Sequence, residues 1–124
     1  MNQLRVLVAD DNRDTMLTLG ILLRSEGYEV HLAENGEQAL TEASAFRPDV
    51  VLLDIGMPDR SGFDVASELW RRYGHNCPVL VAVTARTSTA DRQRAEISGF
   101  HHFFSKPYDP QALLLLLDSL SLQP

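Results

Sequence analysis

Short apolar runs alternate along the whole chain with longer stretches in which apolar residues recur every three or four positions. Leu4 to Ala9, Val50 to Leu53 and Val79 to Val83 are bounded by polar, Pro or Gly residues and are apolar on both faces. Strands buried between two helical layers read this way. Tyr28 to Leu32 alternates apolar and polar, which predicts an edge strand with one wet face. Phe100 to Phe104, interrupted by His101 and His102, predicts a fifth strand at another edge.

Helical spacing fills the gaps between these runs. Met16, Leu19 and Leu23 share one face of a first helix that Gly27 terminates. Ala39, Leu40, Ala43 and Phe46 line a second, opened by Asn35 and Gly36 and closed before Pro48. Phe63, Ala66, Leu69, Trp70 and Tyr73 predict the core face of a third. Ser88 with Asp91 predicts a capping box for a fourth helix of slight apolar content, and Asp109-Pro110 predicts the start of a fifth. On that last helix Leu113, Leu116, Leu117 and Leu120 form the expected core stripe, leaving Leu114 and Leu115 outside it. Strand followed by helix, five times over, predicts an α/β domain with a doubly wound, five-stranded parallel sheet and helices on both faces, covering residues 1–124.

Composition narrows the function classes. At 124 residues, 44% hydrophobic and 23% charged, the chain has the make-up of one globular domain and is neither disordered nor low in complexity. A formal charge of −6 disfavours nucleic acid as a partner, since phosphates call for basic side chains. No apolar run approaches the roughly 18 residues of a membrane span, so a membrane is not expected as a partner either. There is no signal-peptide pattern, and the single cysteine, Cys77, suits a reducing cytoplasm, the expected location.

In an open parallel sheet, ligands bind beyond the carboxyl ends of the strands. The first strand delivers Asp10 and Asp11 there, the third Asp54, the fourth Thr84, and the fifth leads into Lys106 and Pro107. Three carboxylates on one rim repel one another unless a cation sits among them. An all-oxygen donor set suits Mg²⁺ and argues against zinc. Carboxylates holding a hard cation, with an ammonium and a hydroxyl nearby, are the equipment of phosphoryl transfer, and an aspartate can itself be the nucleophile. No glycine-rich nucleotide loop of either common pattern is present.

These residues are recognisable as a set. Val6-Leu7-Val8-Ala9-Asp10-Asp11-Asn12, Asp54-Ile55-Gly56-Met57-Pro58 with Ser61-Gly62, Thr84-Ala85 and Ser105-Lys106-Pro107 resemble the receiver domain of two-component response regulators across essentially the whole chain. The resemblance implies a flavodoxin-like sheet of order 2-1-3-4-5. It implies that Asp54 accepts a phosphoryl group from the phosphohistidine of a histidine kinase or histidine phosphotransfer protein. It further implies that Asp10, Asp11, Asp54 and the backbone carbonyl of Gly56 hold Mg²⁺, and that Lys106 and Thr84 bind phosphoryl oxygens. Ala85 leaves the phosphoryl group room, Lys106-Pro107 is expected to be cis, and Phe103 matches a switch aromatic whose ring turns when Thr84 shifts. Gly56 and Arg86 occupy the variable positions that set the lifetime of the phosphorylated state.

Two rival readings come from other classes. A haloacid dehalogenase type phosphatase places a second Asp two residues after its nucleophile, where this chain has Gly56, and needs a cap for which there is no length. A pseudo-receiver, a module indifferent to phosphate, usually lacks one of the five key residues, all of which are present here. No independent substrate turnover is expected. Leu114 and Leu115, read as exposed, suggest a partner surface or homodimer on the face of the fourth helix, fifth strand and fifth helix. The run Asp54 to Pro58 is similar to receivers of hybrid sensor kinases, while Met1 and Pro124, close to the outer elements, suit a free-standing domain equally.

Overall fold

The computed structural model describes residues 4–121, so Met1 and Pro124 lie outside the described residues. Five strands, β1 (Arg5–Ala9), β2 (Glu29–Ala33), β3 (Val50–Leu53), β4 (Val79–Thr84) and β5 (His102–Ser105), alternate with five helices. The helices are α1 (Arg13–Ser25), α2 (Gly36–Phe46), α3 (Gly62–Tyr73), α4 (Thr89–Ser98) and α5 (Pro110–Ser121). All neighbouring strands run parallel in the order β2-β1-β3-β4-β5. This is the doubly wound sheet that the alternation of patterns predicted.

The two-residue period of the strands sorts the core into two layers. Leu7 and Ala9, Val51 and Leu53, and Leu80 and Ala82 face α2, α3 and α4. Val6 and Val8, Val50 and Leu52, and Val81 and Val83 face α1 and α5. All twelve are buried, which explains why the three central strands read as apolar on both sides. Helix starts follow the capping residues: Asn12, Asn35, Ser61 and Ser88 each accept a backbone N–H three residues on.

Three details differ from the sequence expectation, each for a local reason. Strand β5 begins at His102, not Phe100, because Phe100 still belongs to the end of α4, its N–H bonded to the Ala95 carbonyl. His101 then pairs with β4 through its backbone N–H to the Leu80 carbonyl and through its ring, whose Nδ1 accepts the Leu80 N–H at 3.0 Å. Trp70, expected on the core face, sits at the rim with 38% of its surface exposed. Its Nε1 donates to the Gly99 carbonyl at 2.8 Å and its ring stacks on His101.

The third difference concerns α5. Leu114 is buried, with 8% of its surface exposed, and packs in the α1/α5 layer, so it is not part of an exposed partner surface. The observed stripe is Leu113, Leu114 and Leu117, with Leu116 and Leu120 only partly buried. The Tyr28 hydroxyl donates to Asp118, one turn beyond Leu114 on the same side of the helix, and this turns that side toward the start of β2. Leu115 remains 68% exposed.

His101 makes stability depend on pH. Partial burial, and then the neighbouring His102, hold its pKa below the usual histidine value. The Leu80 N–H needs the Nδ1 lone pair, so protonation breaks that bond. A histidine whose folded-state pKa is depressed contributes fully above its unfolded value, near 6.5, and loses that contribution as pH falls toward the folded value. Urea unfolding at pH 7.5 and 5.0 should show wild type losing about 0.5 kcal/mol more than His101→Asn, the low end for a net hydrogen bond because the residue is only partly buried. Equal losses in the two proteins would remove His101 from the account.

Candidate functional site

The carboxyl ends of β1 and β3 are adjacent, and their ladders run one residue past the strands. Asp10 N–H bonds to Ala33 O on one side, while Asp54 N–H bonds to Ala9 O. Asp10 and Asp54 therefore stand at one level on neighbouring strands, roughly 5 Å apart in backbone. Both are nearly buried, at 4% and 9% exposure, whereas Asp11 points out to solvent. Oxygens of Asp10, Asp11 and Asp54 all come within 4.8 Å of one another.

Lys106 closes the group from the far side. Its backbone N–H bonds to Thr84 O, continuing the β4–β5 ladder. From there its long side chain reaches back past the end of β4 toward the ends of β3 and β1. Nζ lies 2.7 Å from Asp10 Oδ2 and 3.2 Å from Asp54 Oδ2. The Lys106–Pro107 bond that follows is cis. Thr84, the last residue of β4, is fully buried, and its Oγ1 accepts the Arg86 N–H at 3.1 Å.

The two buried acids are electrostatically unequal. Burial pushes Asp10 above the ordinary carboxylate range, and Asp54 repels it further, against the opposing pull of Lys106 and the Asn12 N–H. Burial also acts on Asp54, but the Gly56 N–H at 3.1 Å, the Lys106 charge and the Thr84 hydroxyl outweigh it and hold Asp54 below its ordinary value. Asp54 is thus the more readily ionised of the two buried acids, and an ionised carboxylate is the form a nucleophile needs. The same two acids hold the Lys106 ammonium above its usual pKa despite burial.

The donor set fits a hard divalent cation. Three carboxylates against one ammonium leave two negative charges, and every donor is oxygen.

The surrounding loops are built to hold Asp54 in place. A Cβ on Gly62 would lie 2.5 Å from the Asp54 carbonyl oxygen and 2.7 Å from Ile55 Cα, so only glycine lets the start of α3 pack against this backbone. Gly62 N–H bonds to Ile55 O. From the same loop, Asp59 accepts the N–H groups of Gly36 and Glu37 at 2.9 and 3.0 Å, and Arg60 pairs with Glu37. Asp59 therefore caps α2 from 23 residues away, a role that no local motif announces. Arg86 pairs with Asp91 at 3.0 Å, and its Cδ would lie 3.8 Å from a Cβ placed on Gly56. Phe103 is half-buried, packed on the α2/α3/α4 layer beneath the Arg92 guanidinium.

The family profile described as response regulator receiver domain matches residues 6–118. The chain belongs to the response regulator receiver domain family. This receiver is 38% identical over 110 residues to the DNA-binding response regulator MtrA of Mycolicibacterium paratuberculosis, covering 89% of this chain and 48% of that protein. It is 39% identical over 112 residues to the transcriptional regulatory protein KdpE of Mycobacterium tuberculosis, covering 90% and 48%. The receiver thus spans about half the length of these relatives. Among solved structures it superposes on the chemotaxis protein CheY4 of Vibrio cholerae with a TM-score of 0.88 at 28% identity, covering 96% of this chain and 99% of that one. The receiver domain serves two-component signalling, and a phosphoacceptor role fits it. Among the described residues no helix is long and apolar enough to cross a membrane.

Proposed function

We propose that the whole 124-residue chain is one receiver unit and that Asp54 is its phosphoacceptor. The observation that carries this reading is the Lys106 ammonium set between Asp10 and Asp54, in a cluster that also includes Asp11. An Asp54 oxygen attacks the phosphorus of a phosphohistidine on a histidine kinase or histidine phosphotransfer protein. The phosphorus–nitrogen bond breaks and the imidazole leaves with its electron pair. Asp10, Asp11, Asp54 and the Gly56 carbonyl would hold Mg²⁺, which when bound neutralises charge on the transferring phosphoryl oxygens. Lys106 pairs with one phosphoryl oxygen as it leaves Asp54, and the Thr84 hydroxyl donates to another. Phe103 follows Thr84 as the switch aromatic, and Ala85 leaves room for the group.

This reading places the domain in the cytoplasm, with no independent substrate turnover and no contact of its own with nucleic acid or membrane. DNA binding belongs to the longer relatives whose names state it. The face of α4, β5 and α5 is its partner or dimer surface, now narrowed to Ile97 and Leu115, which are 87% and 68% exposed.

Beryllofluoride, a phosphoryl mimic, separates this reading from its rivals. With Mg²⁺ it should bind saturably and at one equivalent, and without Mg²⁺ it should not. Absence of binding in both conditions would make the domain a phosphate-indifferent module, and turnover of a phosphate ester by the pure protein would make it a phosphatase.

A further inference from the structure

Helix α4 is attached to the domain unlike any other helix. Ala95 is its one buried residue, and Ile97 stands 87% exposed. Its side-chain anchors are cationic instead. The Arg94 guanidinium lies 4.3 Å over the Phe63 ring of α3. The Arg92 guanidinium lies 4.6 Å over the Phe103 ring and donates to Ser105 Oγ at 2.8 Å. Phe103 and Ser105 are two apart on β5 and so share the face that α4 covers, which lets one guanidinium grip both.

We infer that Arg92 is a positioning residue, a clasp through which α4 opposes occupancy of the acceptor site. The inference rests on the phosphoacceptor reading. Ser105 is the register partner of Thr84 and the residue before Lys106, whose ammonium touches Asp10 and Asp54. An anion that draws Thr84 and Lys106 onto itself pulls on this end of β5, while the Arg92 contacts hold β5 to α4 where it is. The clasp belongs to the unoccupied state, so removing it favours the occupied one, and by linkage the effect runs both ways. Arg92 is exposed and buries nothing essential, so its substitution leaves the fold intact.

The test uses Arg92→Met, which keeps the aliphatic stem and removes the charge. Titration with beryllofluoride in Mg²⁺ can be followed by the emission of Trp70, the one tryptophan of the chain, whose indole is bonded to the α4 C-cap at Gly99. The variant should bind about three-fold more tightly than wild type, the ratio carried by one exposed cation–π contact, with a Tm lower by only about 2 °C because the clasp braces the unoccupied state. Arg92→Lys, still a cation, should fall between the two. In Phe103→Leu the Arg92→Met change should have a smaller effect, because the ring is already gone. Equal affinity in wild type and Arg92→Met overturns the clasp. Hydrogen exchange without beryllofluoride separates the two ideas. If wild type binds no beryllofluoride, the acceptor reading has failed, and the clasp then stands or falls on whether Arg92→Met speeds amide exchange across α4 by a similar factor.

Discussion

Asp54→Asn should abolish labelling by acetyl phosphate in Mg²⁺ while leaving the domain folded. The amide is close in shape to the carboxylate but has no anionic oxygen to attack phosphorus. Folding should survive because Lys106 keeps Asp10 as a partner at 2.7 Å, and because one of three mutually repelling acids is removed. Stability should therefore change by no more than about 1 kcal/mol. Intact-mass measurement of the phosphorylated species, with thermal unfolding of the same sample, reads both outcomes. Labelling retained at the wild-type rate would move the acceptor elsewhere, and Asp11, the exposed member of the cluster, is then the first place to look.

Gly62→Ala should damage fold and site together. Its added methyl meets backbone, not a side chain that can rotate away: Asp54 O at 2.5 Å, Ile55 Cα at 2.7 Å and Asp54 C at 3.1 Å. Either α3 withdraws or the Asp54 backbone shifts, and both lose the Gly62–Ile55 hydrogen bond. The expected cost is about 3 kcal/mol, or a fall of about 10 °C in Tm for a chain of this size. Labelling of Asp54 should slow as well, since a displacement of about 1 Å is enough to misalign a nucleophile. Gly56→Ala is the control, because its methyl would find nothing closer than Arg86 Cδ at 3.8 Å and should leave Tm nearly unchanged. A normal Tm for Gly62→Ala would mean that the approach of α3 relaxes without cost.

What the sequence made legible follows from how far each signal reaches. Val6 to Ala9, Val50 to Leu53 and Val79 to Thr84 declare themselves because both faces of a central parallel strand are buried. Once those strands are parallel, the residues at and just past their ends must share a rim, and so Asp10, Asp54, Thr84 and Lys106 group together from sequence order alone. The failures are contacts between distant segments. Nothing near Phe100 signals that the His101 ring will stand in for a strand group. Leu114 and Leu116 flank Leu113 and Leu117 almost symmetrically, and the deeper side is decided by Tyr28 gripping Asp118 from 90 residues away. Trp70 has the right spacing for the core but an indole N–H that needs a partner, and it finds one at the rim. The Asp59 cap on α2 and the Arg92 grip on β5 belong to the same class of invisible contact.

The Asp59 cap has a mechanical corollary. It welds the segment after the third strand to the second helix through two backbone N–H groups bonded to one carboxylate, with Arg60 and Glu37 as a further strut. On the opposite flank, past Thr84, the fourth helix buries only Ala95 and is otherwise held by guanidinium contacts and the Trp70–Gly99 bond. The acidic rim is thus braced by more polar contacts on one bank than on the other, and a displacement beginning at Asp54 should be taken up on the side of the fourth helix.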